Sequence, residues 1–274
     1  MSALTAERVT TRSSVRRGGF VSHTGFITGR WLRAQYRSPA LIAFTLVQPA
    51  IWLLLFGQLF KGVVALPGWS DSSYIAFLTP GIVMMTALMT SGWNGTTFIA
   101  DMERGVMDRM LTSPVRRGAL MAGQLISNGT TTVIQTILVF AIGFAAGARY
   151  DGGVLGYVIT IIVSMLVGTA FGSLSNAVAL LTRQQDALIG ISQFISLPLT
   201  FMSSIMLDPK LAPHWVAVAA RFNPVDWAAV TARQALSATP DWPSATRHGL
   251  YLLAFTLVVG YLSTRAFRTY QRSV

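Results

Sequence analysis

The sequence predicts an all-α integral membrane protein with six transmembrane helices, and three observations carry that prediction. Charged residues make up 11% of the chain and hydrophobic ones 52%, against about 25% charged in an ordinary soluble domain. Apolar runs of about 18 or more residues recur from end to end. Roughly 20 apolar residues, at about 1.5 Å each, cross a bilayer core about 30 Å thick. Fifteen of the 21 basic residues fall in the two tails and in alternate loops between those runs. That bias predicts both termini in the cytoplasm, and an even number of spans agrees with both ends lying on one side.

Residues 1–22 hold Arg8, Arg12, Arg16 and Arg17 among Ser and Thr and read as a disordered basic cytoplasmic tail. SSVRRGGF at 13–20 is no twin-arginine export signal, because no apolar region follows it. Residues 23–274 form a single six-span domain. It opens with His23–Arg37, where Phe26, Ile27, Trp31, Leu32 and Tyr36 are mixed with Arg30, Arg33 and Arg37. That pattern suits a helix lying in the cytoplasmic interface, its arginines toward lipid phosphates, with a ragged extension of the first span as the alternative.

The spans follow as Ala40–Phe60, about Tyr74–Ala100, Leu120–Ala148, Val154–Leu181, Ala187–Leu207 and Leu250–Phe267. Between the last two lie some forty residues, too polar to be lipid-buried and too apolar for a linker. WVAVAARF at 215–222 reads as one short helix, and Asn223-Pro224 followed by VDWAAVTARQAL as the start of another, with Asn as N-cap and Pro in the first turn. Both are too short to span, so they are expected to be re-entrant at the outer face. Gly143/Gly147 and Gly168/Gly172 match the close-packing pattern of membrane helices and are expected to pack within one subunit, with a dimer seam as the alternative.

Several function classes drop out. Cysteine is absent, which excludes disulfides, thiolate nucleophiles and Cys-held metals. A nucleotide-binding P-loop needs Lys directly after Gly, yet Lys61 follows Phe60 and Lys210 follows Pro209. His23, His214 and His248 are far apart, so no metal site is expected. The net charge of +11 is spread along the chain rather than gathered on one module, which argues for lipid headgroups and against nucleic acid. Every carboxylate falls in an expected loop, tail or span end, unlike the buried acids of proton-coupled carriers. A membrane-embedded transferase would need clustered Asp or His on one side, and none appears. A non-catalytic scaffold stays open.

Inside the spans, polar residues are neutral, and soft or aromatic side chains lie at similar depth. Met85, Met89, Trp93, Asn94, Phe98, Phe171, Asn176, Phe194 and Phe201 would suit a path for a bulky amphipathic molecule. Most such residues in a membrane protein simply pack.

The stretch DMERGVMDRMLTSPVRRGALMAGQ at 101–124 stands out, a compact charged module between two apolar spans. Val106, Met107, Met110 and Leu111 recur at helical spacing, and Ser113-Pro114 ends the run, since the residue before proline avoids helical geometry. The residues alone allow two readings, a short amphipathic helix held between spans or a charged loop that only fixes orientation.

That stretch resembles the first cytoplasmic loop of type-2 ABC transporter membrane subunits, where a Glu-x-Gly turn precedes the coupling helix. YIAFLTPGIVMM at 74–85 resembles the family's entry to span two. Residues 198–236 resemble its span five, outer re-entrant helices and Asn-Pro motif, here Asn223 and Pro224. The combination is most similar to the daunorubicin/doxorubicin-resistance branch, over about residues 25–270. The resemblance implies that Glu103, Arg104 and Gly105 form the turn. It implies that Val106–Leu111, with Met107, Arg109 and Met110, form the helix that docks on an ATPase, closed by Pro114. The chain itself would bind no cofactor. Mg-ATP would sit on a separate cytoplasmic ABC ATPase in two copies, and a second permease subunit, identical or homologous, would complete the path. The expected function is ATP-driven export of a drug-like compound or lipid across a bacterial plasma membrane, with a polysaccharide or other lipid-linked cargo as the alternative.

Overall fold

The computed structural model describes residues 25, 28–29, 39–65, 73–105, 117–206 and 213–270. No strand occurs among the described residues. The order is α1 (Pro39–Leu59), a short 3-10 helix (Lys61–Ala65), α2 (Tyr74–Gly92), α3 (Gly95–Glu103), α4 (Arg117–Ala145) and α5 (Gly153–Thr182). It continues with α6 (Gln185–Phe201), α7 (His214–Ala220), α8 (Pro224–Leu236) and α9 (Trp242–Tyr270). Three stretches are long and apolar enough to cross a membrane: Tyr74–Glu103, Gly123–Ala145 and Gly153–Thr182.

α5 is the hub. GVLGYVITIIVSMLVGTAFGSLSNAVALLT carries no charge over 30 residues, a length of about 45 Å, and it touches α2, α3, α4, α6, α8 and α9. In lipid, helices gain little from hiding apolar surface from one another, so close packing and interhelical hydrogen bonds must hold them. Small residues supply the first. A Cβ on Gly156 would stand 2.4 Å from the Ala235 carbonyl oxygen, and one on Gly168 3.0 Å from Thr132 Oγ1. Gly168, Gly172 and Gly143 do pack within the subunit, whereas Gly147 ends α4 in the left-handed region at φ +95°.

α2 is almost wholly enclosed, with Leu78, Ile82, Met84 and Leu88 fully buried. α1 lies at the periphery against α2 and α4, burying Leu53 and exposing Ile51, Leu54, Leu55 and Leu59. Its Trp52, Phe56 and Phe60 stack in a row, centroids 4.9 and 5.6 Å apart, that continues to Tyr74 at 5.8 Å. Between α4 and α5, Tyr150 meets Phe140 and Phe144 edge-on at 5.6 and 5.8 Å. Burial there pushes the Tyr150 hydroxyl well above its ordinary pKa.

Three boundaries differ from the expected ones. The second span is not one helix: it breaks at Trp93–Asn94, between α2 and α3. The helix expected as the fifth span ends at Phe201 rather than Leu207, where Asn223, just before α8, donates to the Leu199 and Met202 carbonyls. The sixth starts earlier, at Trp242, where Asp241 accepts from the Ser244 amide at 3.2 Å and Thr231 reaches the Ala245 carbonyl at 3.3 Å. The expected interfacial helix falls mostly outside the described residues, apart from Gly25, Thr28 and Gly29; the Thr28 hydroxyl donates to the Gly123 carbonyl at 3.2 Å.

Candidate functional site

α3 carries the acidic turn expected to face a partner. Arg104 N–H donates to the Ala100 carbonyl at 3.2 Å and Gly105 N–H to Met102 at 3.0 Å. Gly105 then turns the chain at φ +63°, a left-handed conformation that glycine adopts without a Cβ penalty. Glu103 and Arg104 are exposed at this tip. Val106, Met107, Arg109, Met110, Leu111 and Pro114, expected to form the rest of the docking element, lie outside the described residues.

Behind the turn, α3 is firmly seated. Phe98 and Ile99 are buried with Ala179 of α5 and Leu188 of α6, in a small cluster separate from the main core. A Cβ on Gly95 would stand 2.5 Å from the Ser175 carbonyl oxygen, so glycine is what lets α3 lie this close to α5. The turn is thus carried on a helix packed against the ends of α5 and α6.

A polar seam crosses the helices above this cluster. Asn128 donates through Nδ2 to Ser91 Oγ at 3.1 Å and to the Gly168 carbonyl at 3.0 Å. Gln124 donates to the Asn94 carbonyl at 3.1 Å and to Thr97 Oγ1 at 2.9 Å, and Thr136 bonds Ser164 at 3.0 Å. Ser175 Oγ accepts from Gly95 N–H at 2.9 Å and donates to the Gly92 carbonyl at 2.6 Å, while Ser192 donates to that same carbonyl at 2.7 Å. Asn94 Nδ2, Gln124 Oε1 and both amide atoms of Asn176 are buried without a hydrogen-bond partner.

The candidate path residues separate into three settings. Met85 and Phe171 belong to the main core, Phe98 to the small cluster, and Asn176 is fully buried. Met89 and Asn94 are half-buried. Trp93, Phe194 and Phe201 are exposed, the last two on an outward stripe of α6 with Ile191 and Leu197. α6 turns its opposite stripe inward, Leu188, Ser192, Ser196 and Thr200.

At the far end, Asn223 caps α8 as its sequence predicts, its Oδ1 accepting from Val225 N–H at 2.9 Å, with Pro224 in the first turn. Its Nδ2 does more, donating to the Leu199 and Met202 carbonyls at 2.7 and 3.1 Å. The cap contributes about 1 kcal/mol and each buried bond a comparable amount. Asp226, in the first turn of the helix the sequence predicts there, is buried and accepts from Ser204 N–H at 2.7 Å. Arg233 donates to the Phe77 carbonyl at 3.1 Å, Ser204 Oγ at 3.0 Å and the Ile205 carbonyl at 3.0 Å. Its guanidinium lies 3.7 Å from the Phe77 ring centroid, and Tyr74 donates to the Met206 carbonyl at 2.8 Å. The charge count treats Arg233 as a loop residue; nothing local marks it as a clamp, because its partners lie up to 156 positions away.

Residues 23–236 match the family described as ABC-2 type transporter. The chain belongs to the ABC-2 type transporter family. Relatives agree with that membership. The chain is 28% identical over 233 residues to the daunorubicin resistance ABC transporter permease protein DrrB1 of Streptomyces coeruleorubidus, covering 85% of this chain and 80% of that one. It is 26% identical over 208 residues to the putative transport permease ycf38 of Porphyra purpurea, 76% and 71% covered. To the inner membrane transport permease YadH of Escherichia coli K12 it is 22% identical over 242 residues, 86% and 93% covered. This ABC-2 chain is thus a multi-pass membrane transport component of helical architecture, and the broken second span and the Asn223–Arg233 clamp are features of its own fold. Among the described residues no group of His, Asp or Glu is arranged to hold a metal.

Proposed function

We propose that this chain is the membrane subunit of an ATP-driven exporter that moves a hydrophobic or amphipathic molecule, a drug-like compound or a lipid, out of a bacterial cell. Hydrolysis of Mg-ATP takes place on a separate cytoplasmic ATPase, present in two copies, and a second permease subunit completes the path. α1, the broken pair α2–α3, α4, α5, α6 and α9 are the six crossings, with the Glu103 tip and both termini in the cytoplasm of the inner membrane. α7 and α8 then lie at the outer face.

The observation that carries this reading is the Glu103–Gly105 turn, closed by a left-handed glycine at the tip of a helix packed on α5 and α6. A permease has to convert closure of its ATPases into helix movement. Shifting a two-state equilibrium from 1:99 to 99:1 takes about 5.5 kcal/mol, which a floppy loop cannot deliver. Cargo class follows from the apolar α6 stripe and from the drug named in the DrrB1 relative.

Inverted membrane vesicles holding the transporter test the proposal, with daunorubicin, a cationic dye and a fluorescent phospholipid as probes. Mg-ATP-dependent uptake of at least one is expected, and Met107→Asp, which places a charge in the segment expected to dock on the ATPase, is expected to lower it at least tenfold. Uptake of none of the three, with an ATP-driven flux of polysaccharide instead, overturns the cargo class.

A further inference from the structure

We propose that Ser175 is a positioning residue for coupling, holding a hinge at Trp93–Asn94 about which the α3 tip moves relative to α2. The inference rests on the permease reading above and adds to it the place where the motion begins.

The break has an unusual chemistry. In an unbroken helix Gly95 N–H would donate to Ser91 and Gly92 would accept from Thr96. Here Asn94 N–H goes to Ser91 and Thr96 N–H to Trp93, both three residues back. The freed Gly95 N–H and Gly92 carbonyl are joined through one hydroxyl, Ser175 Oγ, which accepts from the first and donates to the second. Ser192 of α6 adds a second donor to Gly92. A side chain inserted into the helical ladder is an established cause of a sharp bend, and a three-residue spacing inside a helix often marks a hinge. Without these hydroxyls two backbone groups would stand unpaired inside the membrane, at several kcal/mol each by transfer data.

Two further observations make this a hinge rather than a static kink. The break divides the apolar packing: residues 74–89 belong to the main core, while Phe98 and Ile99 belong to the separate cluster with Ala179 and Leu188. Each side of the hinge is therefore a packed body. Beside the break, Asn94, Gln124 and Asn176 keep unused hydrogen-bonding atoms in buried positions. That unused capacity supplies partners for a second arrangement in which Ser175 releases Gly92 or Gly95. Movement of the α3 body carries Leu188, and hence α6 with its outward stripe.

The chain has no cysteine, so nitroxides can be placed at Ala100→Cys and Trp242→Cys in the purified complex with its ATPase. Electron-spin distances are read with and without Mg-ATP and vanadate. The wild-type pair is expected to shift on trapping. Ser175→Ala is expected to lose at least half of that shift and to broaden the resting distribution, with the ATPase still bound. Ser175→Thr keeps the hydroxyl and is expected to retain the shift, whereas Ser175→Val, of the same shape, loses it; equal behaviour of the two overturns the proposal. Ser192→Ala, which removes one of two donors, is expected to broaden the distribution by less and covers the case in which Ser175 variants fail to assemble. A full shift with an unbroadened distribution in both Ser175→Ala and Ser192→Ala overturns the hinge and leaves the permease reading standing. A wild-type complex without bound ATPase overturns that reading and the hinge together, whereas a bound ATPase with a distance blind to trapping overturns the hinge alone.

Discussion

Replacing Arg233 by Ala is expected to release the segment after α6 and to cost about 3 kcal/mol. The guanidinium holds the Phe77 and Ile205 carbonyls and Ser204 Oγ while stacking on the Phe77 ring. Hydrogen bonds to charged groups contribute about 1.5–3 kcal/mol each, and a half-buried site such as this recovers part of the loss from solvent. Arg233→Lys is expected to rescue little, because an ammonium has no planar fork to reach several acceptors at once. Hydrogen exchange over residues 202–206 is the measurement. A free-energy loss of about 3 kcal/mol corresponds to about a hundredfold in the opening equilibrium, and an acceleration of at least tenfold is expected. An exchange rate equal to wild type would show that Asn223, Asp226 and Tyr74 hold this segment without Arg233.

Gly156→Ala is expected to be strongly destabilising, because it adds a methyl where α5 and α8 touch. The added carbon would meet the Ala235 carbonyl oxygen at 2.4 Å and the Ala235 carbonyl carbon at 3.1 Å. Both are backbone atoms of a buried helix and cannot swing aside, so α8 has to move off α5. Overpacking of this kind costs about 1–3 kcal/mol and occasionally more, or a fall of about 2–4 °C in Tm for each kcal/mol. Gly260→Ala is the control. A Cβ there meets nothing within 4 Å, and a helical Gly→Ala change in open space gains up to about 1 kcal/mol. The two variants are expected to move Tm in opposite directions in thermal unfolding of the solubilised protein. A Gly156→Ala protein as stable as wild type would contradict the α5–α8 packing.

Much of the helical plan was legible because apolar run length alone decides it: α1, α4 and α5 start and stop within a few residues of their expected ends. Asn223-Pro224 was legible for a different reason, since an N-cap is a local device and its partner, the Val225 N–H, lies two residues on. The break at Trp93–Asn94 was not. No proline or charge marks it, and the hydroxyls that stabilise it come from 80 and 100 positions away. The same holds for Asp226 and Arg233, whose roles exist only once α6 and α2 are brought beside α8. For the path residues, sequence depth gave no information on which side of a helix faces inward. Phe171 and Phe194 share a depth and a chemistry, yet one is core and the other is exposed.

The most direct test of the central claim is purification of the chain from native membranes in a gentle detergent, asking what accompanies it and whether the sample hydrolyses Mg-ATP. The account predicts a stably associated ATPase with P-loop motifs and vanadate-sensitive hydrolysis, and a marked loss of that partner in Glu103→Ala and Met107→Asp. A homogeneous chain with no ATPase, from membranes known to retain such complexes, would contradict it.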